Sequence, residues 1–417
     1  MAVPETSIFD WEAEEKAYPI NGEINLKEFE NWFKDHGYRE PYKNDDRLGI
    51  AVIMFDGIGD AILASCAIQH IKDNYPNSYV HLFCTDSIAE LYAACPHTDQ
   101  ITPFPNKIKE LSALNPLLLP KAASKIIKNR KIHIAYVFSF FSPAYRFAFL
   151  LGAKDRYALL PDTELLSSGN INTFISSANL YVTRFTTHGN ENIARTFNRM
   201  VSKKISTKEP LSVYIQPKDM IEIDKIVSEE LSSYNELIAV GVTSGVIGKT
   251  YPMMLEALDL LHQKYPSKHF ILLGRDPLCD LSEYKVDYAT SYVDKLSIPE
   301  TIALLSKCES LISNDTWLIH AASAMEIPCI DIVAYAAKKK LKNYSVPIAF
   351  APYNTKHVIV QPADVGDRKC LKYKHHAGCC HIVETNSCCI AHIDPTVIVK
   401  AYTTLLSVKD NKSVFVH

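Results

Sequence analysis

Three short stretches carry residue types suited to holding an anionic ligand, and each sits where a strand should turn into a helix. In Asp56-Gly57-Ile58-Gly59-Asp60, two glycines allow a tight turn and close backbone approach, and the acid opens a run at helical spacing. Thr243-Ser244-Gly245 repeats the theme with two hydroxyls beside a glycine. Asn314-Asp315-Thr316-Trp317 puts an acid and a hydroxyl ahead of an Ala-rich run that contains His320. Helix N-termini behind such turns are ready-made places for negative charge. Gly57-x-Gly59 lacks the third glycine of a dinucleotide fingerprint and the Gly-Lys-Ser/Thr of a phosphate loop, so neither is indicated. A plain strand-to-helix turn accounts for the first stretch taken alone, and Asp60 is the residue it explains least well.

A fourth concentration of chemistry lies near the C-terminus. Cys370, Cys379, Cys380, Cys388 and Cys389 follow the spacing C-x8-C-C-x7-C-C, with His375, His376, His381 and His392 interleaved. In a reducing compartment, clustered thiols fit a metal better than disulfides, and four thiolates around zinc or iron would pin a loop poor in apolar residues. The spacing is not a standard C-x2-C pair, and free thiols in a surface loop are the alternative. The remaining six cysteines, at 66, 84, 95, 279, 308 and 329, stand in apolar contexts and read as buried reduced thiols.

The elements that must position these groups alternate along the chain. Strands are expected at 50–55, 79–84, 100–104 and 134–138, with helices at 60–74, 88–94, about 122–128 and 143–152 between and after them. The 203–209 segment, rich in Lys, Ser and Thr, reads as a linker before Pro210. Beyond it the alternation restarts: helix 219–231, strand 237–242, helix 252–265, strand 270–273, helix 299–306, strand 310–313, a helix through His320 and strand 329–333. Such alternation implies parallel sheets with helices on both faces, and two such halves suggest facing Rossmann-like domains with a cleft between them. The expected division is an N-terminal extension at 1–46, domains at 47–205 and 206–340, and a Cys-rich segment with a final helix at 341–417. One amphipathic helix through Leu26, Phe29, Trp32 and Phe33 is expected in the extension.

Composition narrows the partners. The 417 residues are 47% hydrophobic and 22% charged with a net charge of -3, an ordinary globular profile without the basic field that nucleic acid attracts. The N-terminus is acidic and lacks the apolar core of a signal peptide, and Pro143 and Arg146 interrupt the most apolar region, Ile134 to Ala153. A cytoplasmic protein is expected.

Six segments together resemble glycosyltransferase family 9, the bacterial ADP-heptose:lipopolysaccharide heptosyltransferases and their relatives. They are Gly57-Ile58-Gly59-Asp60 with Leu63 and Ala67-Ile68; Arg146 to Ala153 ending near Arg156; His188 and the helix after it; Thr243-Ser244 with Lys249-Thr250-Tyr251-Pro252; Leu272-Leu273-Gly274; and Ser313-Asn314-Asp315-Thr316 with His320-Ala321-Ala322. Their order across residues 48–335 carries the resemblance. It implies a GT-B fold in which the N-terminal half holds the acceptor and the C-terminal half the nucleotide sugar.

The resemblance also implies roles. Asp60 matches the acid proposed as the base for the acceptor hydroxyl, with a structural helix-start acid as the rival reading. Lys249 matches the lysine that neutralises the donor diphosphate, with Thr243 and Ser244 at the same oxygens. Asp276 aligns with an acid on the nucleotide ribose, and Asp315 with Thr316 contacts the donor sugar and diphosphate. Relatives usually carry glycine where this chain has Trp317, and that departure touches the donor pocket. His320 lies behind it on the donor side, while Gly57, Gly59, Arg146 and His188 fall on the acceptor side.

Catalysis in the family requires no cofactor, so a metal at the cysteines would be structural, as in a subgroup that glycosylates autotransporter proteins. The implied activity is inverting transfer of a sugar, foremost heptose from ADP-heptose, to a hydroxyl in lipopolysaccharide or another surface glycan. Peripheral contact with the inner membrane goes with a glycolipid acceptor. The alternatives are a protein O-heptosyltransferase with a Cys-bound metal, use of another nucleotide sugar, and a catalytically silent sugar-nucleotide-binding relative.

Overall fold

The computed structural model describes residues 46–108, 118–127, 130–139, 142–159, 183–185, 191–202, 209–244, 249–275, 286–334, 346–362, 389–409 and 413–416. The chain divides into two compact units, Met1–Glu209 and Pro210–His417. Asp276, His188, Cys370, Cys379, Cys380, Cys388 and the amphipathic segment near Trp32 lie outside the described residues.

The first unit is built on a six-stranded sheet. Its strands are β1 (Leu48–Met54), β2 (Ser78–Thr85), β3 (Gln100–Phe104), β4 (Ile134–Val137), β5 (Asp155–Leu159) and β6 (Thr183–Phe185), in the spatial order β3-β2-β1-β4-β5-β6. Every pairing is parallel. β1 is central, and Ile50 to Phe55 are all buried, which is why the strand reads as an unbroken apolar run rather than an alternating one. The helix expected at 60–74 is present as α1 (Ile58–Leu63) and α2 (Ser65–Asn74), interrupted at Ala64. It is followed by α3 (Asp86–Tyr92), α4 (Leu118–Ile127), α5 (Ser142–Leu150) and α6 (Ile193–Val201).

Four phenylalanines pin the end of β1. Phe55 meets Phe104 and Phe147 with ring centroids 5.1 and 5.8 Å apart, and Phe147 of α5 meets Phe83 edge-on at 5.4 Å. Edge-to-face packing of this kind contributes about 0.5–1.5 kcal/mol per pair beyond burial. It fixes the position from which the Gly57 turn departs.

The second unit repeats the plan with seven strands: β7 (Glu236–Gly241), β8 (Lys268–Leu273), β9 (Ala289–Ser291), β10 (Ser310–Asn314), β11 (Cys329–Ile332), β12 (His357–Val360) and β13 (Ser413–Val416). The order is β13-β12-β11-β10-β7-β8-β9, again all parallel. The helices are α7 (Pro217–Glu230), α8 (Met254–Lys264), α9 (Ile298–Leu305), α10 (Trp317–Ala324), α11 (Val346–Ala349) and α12 (Pro395–Ser407). α8 and α12 cover one face, where Val240, Leu258, Leu272, Ile312, Ile330, Ile398 and Tyr402 form a continuous core. Strands β12 and β13 were not expected from the sequence and extend the sheet beyond β11.

Both sheets share one topological property. Strand order reverses beside β1 in the first and beside β7 in the second, since each has its next strand on one side and a later strand on the other. Such switch points open a crevice at the C-terminal strand ends. Gly57 to Asp60 follows β1, Thr243 and Ser244 follow β7, and Asp315 and Thr316 follow β10, the strand paired with β7.

Gly241 holds the second switch point tight. It is in register with Ser313, and a Cβ there would collide with the Ser313 hydroxyl and lie 3.0 Å from Leu318 Cδ1 of α10. Gly241→Ala is therefore expected to destabilise the protein by about 1–3 kcal/mol, the usual range for overpacking. Urea unfolding measures it. Adding Ser313→Ala should recover part of the loss, and an unchanged midpoint for Gly241→Ala alone would contradict the contact.

Among the described residues no helix is long and apolar enough to cross a membrane. Cys66, Cys84, Cys95, Cys308 and Cys329 are buried free thiols, as their apolar contexts implied, and burial pushes Cys66 and Cys308 up to about 12.

Candidate functional site

The second switch point gathers most of the residues singled out in the C-terminal half. Lys249 Nζ donates to Asp315 Oδ2 at 2.8 Å, and both side chains are partly screened from water, at 26% and 10% exposure. Asp315 leaves β10 with its N–H donating to the Ile332 carbonyl of β11 at 3.1 Å. Thr316 is the N-cap of α10 in an extended conformation, and its Oγ1 lies 3.3 Å from Ser313 Oγ. An ammonium, a carboxylate and a helix N-terminus thus meet at one strand end, which suits a ligand carrying both phosphate and hydroxyl groups.

The loop carrying Lys249 is held from below. Asn314 is fully buried; its Oδ1 accepts the Tyr251 N–H at 2.7 Å and its Nδ2 donates to the Gly241 carbonyl at 3.0 Å. The Tyr251 hydroxyl donates to the Ile393 carbonyl at 2.8 Å. One amide therefore satisfies two buried backbone groups and fixes the distance between the ends of β7 and β10. Asn314 stood in the quoted motif, but its bridging role depends on a partner 63 residues away.

Thr243 and Ser244 are buried at the same end of β7, and their groups are partly engaged within the protein. The Thr243 hydroxyl donates to the Arg275 carbonyl at 2.7 Å, and the Ser244 N–H donates to Thr250 Oγ1 at 3.2 Å. Gly274, at φ +147, lets β8 turn beside Thr243, since a Cβ there would lie 2.6 Å from Thr243 Oγ1. Thr243 ties the ends of β7 and β8 together as well as facing the switch point.

Trp317 opens α10 and is half-buried. His320, one turn further on, is 5% exposed, and its Nδ1 has no hydrogen-bond partner. Burial holds its ring down to about 4, with Asp315 opposing the shift and Lys249 reinforcing it. His320 is therefore neutral at physiological pH.

In the first unit, Asp60 lies on the opening turn of α1 with Oδ2 accepting the Gly57 N–H at 3.2 Å. The acid does hold its own turn, so the structural reading of Asp60 is realised in part; a carboxylate has further lone pairs to offer. Gly57 is exposed and Gly59 is half-buried beside it. Asp56 was passed over in the sequence. Its Oδ2 accepts from Ser139 Oγ at 2.6 Å, linking the C-terminal ends of β1 and β4 across the switch point. Arg146 is exposed on α5, between the buried Tyr145 and Phe147. The helix that follows His188, α6, is capped by Asn192, whose Oδ1 accepts the Ala194 N–H at 3.0 Å.

The only part of the cysteine cluster within the described residues is Cys389, which begins a short 3-10 turn, Cys389–His392. No group of metal-binding side chains occurs among the described residues.

Two parallel sheets of Rossmann order, each with a polar turn at its switch point, form the architecture of the GT-B class. Solved structures similar to this chain share it. One is a family 9 glycosyltransferase from Veillonella parvula (TM-score 0.64, 16% identity, covering 87% of this chain and 99% of that one). Others are E. coli ADP-heptose lps heptosyltransferase II (0.60, 13%, 86% and 99%) and E. coli heptosyltransferase WaaC with ADP (0.56, 10%, 85% and 99%). The chain is a glycosyltransferase of this class. Residues 282–381 match the model described as glycosyltransferase family 9 (heptosyltransferase). No curated protein sequence matches the chain closely enough to count as a relative.

Proposed function

We propose that the chain is an inverting glycosyltransferase that moves heptose from ADP-heptose to a hydroxyl of a lipopolysaccharide core precursor or related surface glycan. The observation that carries this reading is the Lys249–Asp315 pair at the second switch point, an ammonium and a carboxylate beside the N-terminus of α10. Two of the similar structures are described as acting on or holding ADP-linked ligands, which favours adenine as the base.

In this reading the donor diphosphate takes Lys249 and the first N–H groups of α10, while Asp315 turns to the sugar hydroxyls. Asp276 serves the ribose. Asp60 takes the proton from the acceptor hydroxyl as its oxygen attacks the anomeric carbon; the bond to the diphosphate breaks, and the nucleoside diphosphate leaves with the electron pair. Gly57, Gly59, Arg146 and His188 line the acceptor side. Lys249 and the helix terminus stabilise the charge that accumulates on the leaving group.

A ligand that binds only the folded state raises its stability by about 2.7 kcal/mol at a hundredfold excess over its dissociation constant. ADP-heptose is accordingly expected to raise the unfolding temperature in a thermal-shift screen, with UDP- and GDP-sugars giving smaller shifts. If no nucleotide sugar shifts the transition, the donor reading fails. A catalytically silent relative is the second reading because the bulky Trp317 opens α10 directly after Thr316; it would bind donor and release no nucleotide.

A further inference from the structure

Asp331 lies in the middle of β11, in the apolar stretch Cys329-Ile330-Asp331-Ile332-Val333. It is 1% exposed, and its Oδ1 has no hydrogen-bond partner. Alternation along the strand sends Ile330 and Ile332 into the core under α8 and α12, which puts Asp331 on the opposite face of the sheet. There it stands in register with Ser313 of β10. The next residue, Ile332, supplies the carbonyl that receives the Asp315 N–H at 3.1 Å. Among the described residues, the charged and titratable groups that bear on this position are Asp315, Lys249 and, two residues earlier on β11, the Cys329 thiol, while β12 offers Ile359 opposite it.

We propose that Asp331 is a positioning residue of the donor site, one half of an acid pair in which Asp315 carries the negative charge and Asp331 the proton. Two carboxyls whose charges act on one another, one of them fully buried, are disfavoured from ionising together. Asp315 has the ammonium of Lys249 at 2.8 Å and some access to water, so the charge resides there. Burial, reinforced by the charge on Asp315, holds the Asp331 carboxyl well above the usual carboxylate range. This inference rests on the donor reading above. When a nucleoside diphosphate draws Lys249 away, the pair still holds one proton and one charge, and no second anion faces the incoming phosphates.

A buried acid with a raised pKa is unfavourable to the fold. The unfolded chain releases its proton above about pH 4 while the folded chain keeps it, so stability falls as pH rises from there to the folded pKa. A hydrophobic residue would avoid this penalty in β11. Its occurrence beside Asp315 is the pattern of a local rule broken at a functional site.

The test compares wild type with Asp331→Asn, which has nearly the same shape and cannot ionise, over the range from about pH 5 to about pH 10. Asp331→Val is a second neutral variant should the first fold poorly. Thermal unfolding should show the variant gaining on wild type as pH rises. Titration with ADP should show wild-type affinity falling roughly tenfold more than the variant's across the alkaline range, as ionisation of Asp331 adds a repelling charge. Parallel pH profiles for wild type and both neutral variants, with ADP binding intact, would overturn the acid pair alone. Absence of ADP binding to well-folded wild type at every pH would instead overturn the donor reading and, with it, the role assigned to Asp331.

Discussion

Asp60→Asn is expected to lower the rate of sugar transfer by about a thousandfold, within the range that a positioned general base contributes, while leaving ADP affinity within about twofold of wild type. The choice of asparagine matters because Asp60 also accepts the Gly57 N–H at 3.2 Å. The amide oxygen of asparagine can keep that hydrogen bond, so the turn after β1 survives and only the capacity to take a proton is lost. Loss of that hydrogen bond in Asp60→Ala adds about 0.5–1.5 kcal/mol of destabilisation, which the Asn variant avoids. Release of ADP from ADP-heptose in the presence of acceptor measures the rate. An Asn variant with wild-type turnover would make Asp60 a structural acid, and Asp56, held by Ser139 at the same switch point, would become the carboxylate to test next.

Lys249→Ala is expected to weaken ADP binding by about a hundredfold, the scale on which truncating one member of a desolvated charge pair acts. Two effects add. The diphosphate loses a charge-assisted contact, and Asp315 loses the ammonium at 2.8 Å and faces the phosphates as an uncompensated anion. Stability should change little, because Lys249 is 26% exposed and partly screened by water. Lys249→Arg keeps the charge and should recover much of the affinity. Calorimetric titration of ADP into the three proteins measures this, and equal affinity in wild type and Lys249→Ala would remove Lys249 from the donor site.

The parts of this account that were legible in the sequence are those in which one local pattern decides the structure. Ile50 to Phe55 is buried on both faces, so its apolar run and the glycines after it announce a central strand and its turn. The same logic located β7 and β10, and with them Thr243 and Asp315. β12 and β13 were not read because each is four residues long and is stabilised by pairing with a distant strand rather than by its own pattern. Asp60 offered both readings, and the structure shows the structural one: at the start of α1 its carboxylate accepts the Gly57 N–H.

Asp331 was illegible for the opposite reason. A single acid in an apolar strand looks like an irregularity until the register of β10 and β11 puts it opposite Ser313 and next to the carbonyl that anchors Asp315. Asn314 likewise gains meaning only through Tyr251 and Gly241, residues far away along the chain. Long-range pairing of this kind is set by topology, and motif spacing does not encode it.

The most direct test of the central claim is a crystal structure of the protein with ADP-heptose. Diphosphate oxygens are expected within hydrogen-bond reach of Lys249 Nζ and the first N–H groups of α10, with the Lys249–Asp315 pair opened and Asp315 on a sugar hydroxyl. A complex in which that pair remains closed at 2.8 Å and the nucleotide lies elsewhere would contradict it.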